Sequence, residues 1–163
     1  MIMGKLDIKK KLIELPANEI EIPYIDYTGR ALVGLRESNG LVYVSGTGCE
    51  DPTDGHGVWT GAVGREVSLE EGYRAAQWCA LLQLNIMRNQ YGLDRIDSVV
   101  RALALIQVAD DFYDLDKVFD GYSDVMYSVF RDRGRHVRTI MGTRNLPNHL
   151  ITIEVETIFK LKD

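Results

Sequence analysis

Residues 97–109 read DSVVRALALIQVA, and this stretch decides the fold. Its length and β-branched residues mark a strand. Val100, Ala102, Ala104, Ile106 and Val108 fall on one parity; Val99, Leu103 and Leu105 fall on the other. Successive side chains of a strand point to opposite faces, so both faces of this one are apolar. Such a strand must be covered on both sides.

The flanks supply one cover. Ser68 opens Ser-Leu-Glu-Glu, with Glu71 three residues on, which is a capping box. Leu69, Tyr73, Ala76, Ala80, Leu84 and Met87 follow at steps of three and four, and Gly92 suits the C-terminal stop. A second helix is expected from about Asp114 to Asp132, with Leu115, Val118, Tyr122, Val125 and Val129 on its face and Gly134 to end it. Connections through helices are right-handed, so both helices should lie on one side of a single sheet. No helix remains for the other side. Another subunit is the economical cover, which predicts a homo-oligomer whose sheets pack together.

Further out, 30–36 and 41–45 read as two strands with Ser38-Asn39-Gly40 as the hairpin signal. Residues 46–64 hold six glycines and read as loop. Residues 138–143 and 149–161 read as two more strands separated by a turn at Asn145-Leu146-Pro147. Ile151, Ile153, Val155, Phe159 and Leu161 share one face of the last; Leu150, Thr152, Glu154, Glu156 and Ile158 share the other. A short amphipathic helix fits residues 5–14. The order ββ-α-β-α-ββ makes an α+β domain spanning 1–163, with 1–26 as an N-terminal extension.

Composition agrees with a single soluble domain. The chain has 163 residues, 45% hydrophobic and 26% charged, with net charge −5. An acidic balance disfavours nucleic acid as a partner. Cys49 and Cys79 make neither a disulfide framework nor a metal signature. No segment has the length of a signal peptide's apolar run or a membrane span. These features predict a cytoplasmic protein with no membrane partner.

Chemistry is concentrated in residues 131–147, RDRGRHVRTIMGTRNLP. Arg131, Arg133 and Arg135 suit the negative end of the preceding helix. Arg138 opens a strand beside apolar neighbours, where its planar fork can serve a bound carboxylate or a structural acid equally well. Glu154 and Glu156 lie on the helix-free face, either solvated, paired with an arginine, or orienting a water in an intersubunit cleft. The glycines of Ser45-Gly46-Thr47-Gly48 allow close approach to the backbone, but the phosphate-loop ending is absent. Tyr24 and Tyr27 precede the first strand and could cover a pocket. His56, His136 and His149 lack ligand spacing, so no metal is expected.

The chain resembles the YjgF/Rid proteins, the reactive-intermediate imine/enamine deaminases once labelled L-PSP endoribonucleases. The resemblance covers about residues 27–160. It rests on LVYVSGTG (41–48), GAVGREVSLEEGYRAAQWCALLQLNIM (61–87), LDRIDSVVRALALIQVADDF (93–112), DGYSDVMYSVF (120–130), GRHVRTIMGTRNLP (134–147) and IEVETI (153–158). It implies a chorismate-mutase-like mixed sheet with two helices on one face, and a homotrimer with clefts between subunits. In those clefts Arg138 would hold a substrate carboxylate and Glu154 would position the attacking water. Gly46, Ile140, Asp120 and Tyr27 would complete the binding site, Ile140 through its backbone. The implied reaction is RidA-like hydrolysis of 2-imino or enamine acids to 2-keto acids and ammonia, without a cofactor, since a protonated imine is already electrophilic. Several positions mark a divergent branch: Asp120 replaces the family's Asn, Ile140 its Cys, and one extra residue precedes the last strand. The alternative is a non-catalytic or regulatory binder of small carboxylates such as keto acids. RNA cleavage or translation inhibition stands behind both.

Overall fold

The computed structural model describes residues 28–163. The helix expected at 5–14, Tyr24 and Tyr27 lie outside them. Strands β1 (Leu35–Ser38) and β2 (Leu41–Gly48) form a hairpin through Asn39 and Gly40. Both turn residues have positive φ, 53° and 73°, the geometry that matches strand twist in a two-residue turn. The first strand starts at Leu35 instead of Arg30. The Ser38–Leu41 register carries the pairing only back to Leu35, and exposed Leu32 and Val33 have no strand opposite among the described residues. The second strand runs past its expected end into Ser45–Gly48. It does so with an irregularity between Val44 and Thr47 against β5, which lifts Ser45 and Gly46 out of the ladder.

Helix α1 (Leu69–Tyr91) starts at the expected capping box. Ser68 Oγ accepts from the Glu71 N–H at 3.2 Å, and Glu71 Oε2 accepts from the Ser68 N–H at 3.0 Å. That motif contributes about 1 kcal/mol. The helix stops at Gly92, φ 82°. Helix α2 (Leu115–Phe130) stops earlier than expected, at Arg131 with φ 56°, whose N–H bonds the Tyr127 carbonyl. A 3₁₀ turn, Arg131–Gly134, follows. Gly134 does have a structural reason to be glycine: a Cβ there would lie 2.2 Å from the Met126 carbonyl oxygen.

Strand β3 (Ile96–Gln107) is the two-faced segment, with one correction. Val99 is buried and Val100 is 38% exposed. The register slips between Val99 and Arg101, and this bulge moves Val99 onto the face of Ala102, Ala104 and Ile106. Strand β4 is Val137–Thr143. The turn after it holds a single helical turn, α3 (Pro147–Leu150), so the last strand, β5 (Ile153–Leu161), begins four residues later than read. Proline fits the first position of that turn because its missing N–H would have no partner there.

The five strands lie in the order β1-β2-β5-β3-β4, with β3 and β4 parallel and the other neighbours antiparallel. Both helices pack on one side. Trp78, Leu82, Phe119 and Tyr122 close over Val42, Ala102, Ala104, Val155 and Phe159, all buried. One polar chain is sealed inside. The Tyr122 hydroxyl lies 2.6 Å from both Gln83 Oε1 and Thr157 Oγ1, and Gln83 Nε2 donates to the Val155 carbonyl at 2.7 Å. The two helices approach closely at Gly121, where a Cβ would sit 2.1 Å from the Tyr73 carbonyl oxygen. Among the described residues, neither α1 nor α2 covers the opposite side of the sheet. Tyr43 and Met141 are exposed there, and Leu103, Leu105 and Ile158 are only partly covered.

Candidate functional site

Register decides which side each candidate serves. Arg138 pairs with Ala102 and Ile140 with Ala104, so both belong to the helix side. Leu105 pairs with Glu154, so Glu154 belongs to the open side. The two residues expected to share a substrate therefore lie on opposite faces within one chain.

The helix-side site is a cleft of about 490 Å³ between α2 and the start of β4. It is lined by Asp120, Ser123, Asp124, Tyr127, His136 and Arg138, among others. Arg138 Nη1 donates to Asp120 Oδ1 at 2.9 Å and to Ser123 Oγ at 3.1 Å. Its Nη2 donates to Asp116 Oδ1 at 3.2 Å. The guanidinium also stacks toward the Phe119 ring, 5.8 Å from its centroid. Asp120 thus sits beside Arg138. The choice left open between a structural and a binding arginine is answered in part: Arg138 has structural acids. They differ in strength, because the Asp116 side chain is 82% exposed and a solvated pair contributes little. Ile140 is half-buried against the core, two residues further along β4.

The open-side site is built by the β2 irregularity. Gly46 lies directly under Glu154, and a Cβ on it would come within 2.0 Å of Glu154 Oε1. Nearby Glu50 is held by Asn148, whose amide donates to Glu50 Oε1. Burial, and then the Glu50 charge, push the Glu154 pKa above its usual 4.5. A carboxylate kept from full solvation holds a proton more readily and can orient a water. Glu156, two residues on, is exposed and lines a separate hollow with Tyr43 and Ser45.

Three further arginines of residues 131–147 have local partners. Arg133 donates to the Ile96 and Asp97 carbonyls, Arg135 pairs with Asp132, and Arg144 with Asp110. Among the described residues no group of three His, Cys, Asp or Glu side chains is placed to hold a metal. No described helix is long and apolar enough to cross a membrane. Sequence reasoning missed Ser123 and His136, which meet in the cleft at 3.3 Å. They are thirteen residues apart, Ser123 on α2 and His136 in the link before β4. The available signal was His136 standing two residues before Arg138.

No known family profile matches the chain. It is 31% identical over 153 residues to protein TCP17 of Trypanosoma cruzi, covering 93% of this chain and 89% of that one. It superposes on Agrobacterium tumefaciens Atu1372, a protein of unknown function, with TM-score 0.78 and 27% identity over 94% of this chain and 91% of that one. RidA from an Antarctic Psychrobacter shares the fold at TM-score 0.56 and 17% identity, over 85% of this chain and 94% of RidA.

Proposed function

Since the chain belongs to one family with TCP17 of Trypanosoma cruzi and has the YjgF/Rid fold, we propose that it hydrolyses small 2-imino acids. The products are 2-keto acids and ammonia. The observation that carries this reading is Arg138 at the mouth of a 490 Å³ cleft, with one of its two acidic partners weakly held. A substrate carboxylate replaces Asp116 on Nη2, while Asp120 and Ser123 keep Nη1 in place. A planar fork fixed in this way supports a carboxylate at defined orientation, and orientation supplies much of the acceleration.

Glu154 over Gly46 is the second half of the site. It lies on the apolar open face, the face an identical subunit would cover. A homotrimer, with each cleft built from the Arg138 side of one copy and the Glu154 side of another, brings the halves together. There Glu154 holds the water that attacks the imine carbon. The test uses imines generated in situ by an amino-acid oxidase. The expected result is accelerated hydrolysis by the wild type and a loss of roughly a hundred-fold in Arg138→Ala. No acceleration over buffer, or full activity in the variant, overturns the reading.

One observation favours a second reading. Arg138 already carries two acidic partners, Asp116 and Asp120, so a ligand must compete for it. A cleft of this kind can hold a keto acid without turning it over. That version predicts thermal stabilisation by small carboxylates, lost in Arg138→Ala, with no imine hydrolysis in either protein.

A further inference from the structure

His136 stands half-buried in the cleft on Arg138's own side of the sheet. Its Nδ1 lies 2.8 Å from the Gly134 carbonyl oxygen. A carbonyl oxygen only accepts, so Nδ1 carries the ring hydrogen. In the neutral ring Nε2 is then an acceptor, and Ser123 Oγ lies 3.3 Å from it. The Ser123 hydroxyl therefore donates to His136. The same Oγ accepts from Arg138 Nη1 at 3.1 Å, which leaves it one lone pair for a further donor. The edges of two rings fix the imidazole, Phe119 at 6.5 Å and Tyr122 at 5.7 Å between centroids.

The other charged groups of the cleft have partners of their own. From α2, Asp120 is taken by Arg138 and Asp124 accepts from the Tyr73 hydroxyl at 2.7 Å. From the 3₁₀ turn, Arg135 is bound to Asp132 at 3.1 Å. Glu154 lies on the opposite face of the sheet and does not reach this cleft within one chain. A ring that is oriented by a backbone carbonyl and turned toward a hydroxyl has the arrangement of a general base and its relay.

We propose that His136, acting through Ser123, is the proton-transfer group of the Arg138 cleft, with a small 2-imino acid as its substrate. The inference rests on the imine-hydrolysis reading above and supplies the base which that reading lacks on this side. A water oxygen forms a bond to the carbon of the protonated imine as the C=N π pair moves to nitrogen. The water gives one proton to Ser123 Oγ while the Ser123 proton passes to His136 Nε2. The resulting carbinolamine takes that proton back on nitrogen. The C–N bond then breaks and the hydroxyl oxygen forms the carbonyl. Its released proton leaves with ammonia, so the products are a 2-keto acid and ammonium.

Burial, with help from the Arg138 charge, holds the His136 pKa below its usual 6.5, so the base is neutral at pH 7. The experiment measures kcat/KM for in situ imines between pH 5 and 8. It compares the wild type, His136→Asn, whose amide can still donate to the Gly134 carbonyl, and Ser123→Ala. The wild type is expected to lose activity as pH falls below 6.5, with that limb absent in His136→Asn. His136→Asn should lose about a hundred-fold in kcat with little change in KM. Ser123→Ala should lose roughly ten-fold and keep the pH limb, because a water can bridge the gap; it serves as the test if His136→Asn does not fold. Wild-type acceleration that shows no such limb, or that survives unchanged in either variant, overturns the role of His136. No acceleration by the wild type overturns the imine reading itself.

Discussion

On the helix side of the sheet the Arg138 guanidinium meets oxygens from Asp116, Asp120 and Ser123. On the open side Glu154 lies over Gly46, with another carboxylate, Glu50, as a charged neighbour. The first site is organised around satisfied charge. The second holds a carboxylate that burial and like charge make costly to ionise. The contrast follows from what each face packs against. Helix α2 brings its own acids to Arg138, whereas Glu154 faces Gly46 and the charge of Glu50. Arg138 is balanced by acids of its own chain, whereas Glu154 meets a like charge.

Three substitutions sharpen this contrast. The largest effect is expected for Gly46→Ala. Its Cβ would fall 2.0 Å from Glu154 Oε1, the flexible end of a side chain, so the carboxylate moves while the fold persists. Hydrolysis should drop about a hundred-fold, with a melting temperature close to the wild type's. Calorimetry beside the imine assay checks both halves; a large fall in melting temperature would mean that Gly46 serves packing instead.

A smaller change is expected on the balanced side. Asp120→Asn removes the charge nearest Arg138 and keeps an acceptor for Nη1. Small carboxylates should bind roughly five-fold more tightly, since they compete with one acid fewer (about 1 kcal/mol). Titration calorimetry with a keto acid reads this directly, and weaker binding would show that Asp120 orients Arg138 more than it competes.

The smallest effect is on stability. The Glu154 pKa is raised in the folded protein, so between 4.5 and that raised value the folded state keeps a proton that the unfolded state has lost. Stability therefore falls as pH rises through this window and the cost persists above it. Glu154→Gln should raise the melting temperature at pH 7 by a few degrees, and the gain should vanish below pH 4.5. Thermal scans across pH would detect the crossover, and an equal gain at every pH would exclude a charge effect.

Local chemistry was legible at several places. Ser68 and Glu71 announced the start of α1, Asn39-Gly40 the hairpin, and Gly92 a helix end, because each of these depends on a few adjacent residues. The family resemblance also placed Arg138 and Asp120 in one binding site. Where the reading slipped, one residue of backbone irregularity was responsible. The β3 bulge exchanged Val99 and Val100 between faces, and no parity count can foresee where an extra residue is inserted. Pro147 was read as a turn, yet the single helical turn it starts delayed β5. Arg131 ended α2 in a conformation usually left to glycine. The Ser123–His136 pair was not legible because neither residue has a partner at a regular spacing.

The sequence by itself determined an α+β domain with two helices on one face of a sheet, since periodicity and end signals act over a few residues. It also marked Arg138, Asp120 and Glu154 as the groups worth following. Only the tertiary structure decided that Arg138 and Glu154 face opposite sides of the sheet. It alone brought His136 to Ser123 and a carboxylate over Gly46. Those relations depend on register, on irregularities in the strands and on where α2 crosses β4, and they are set by packing between segments distant in the chain.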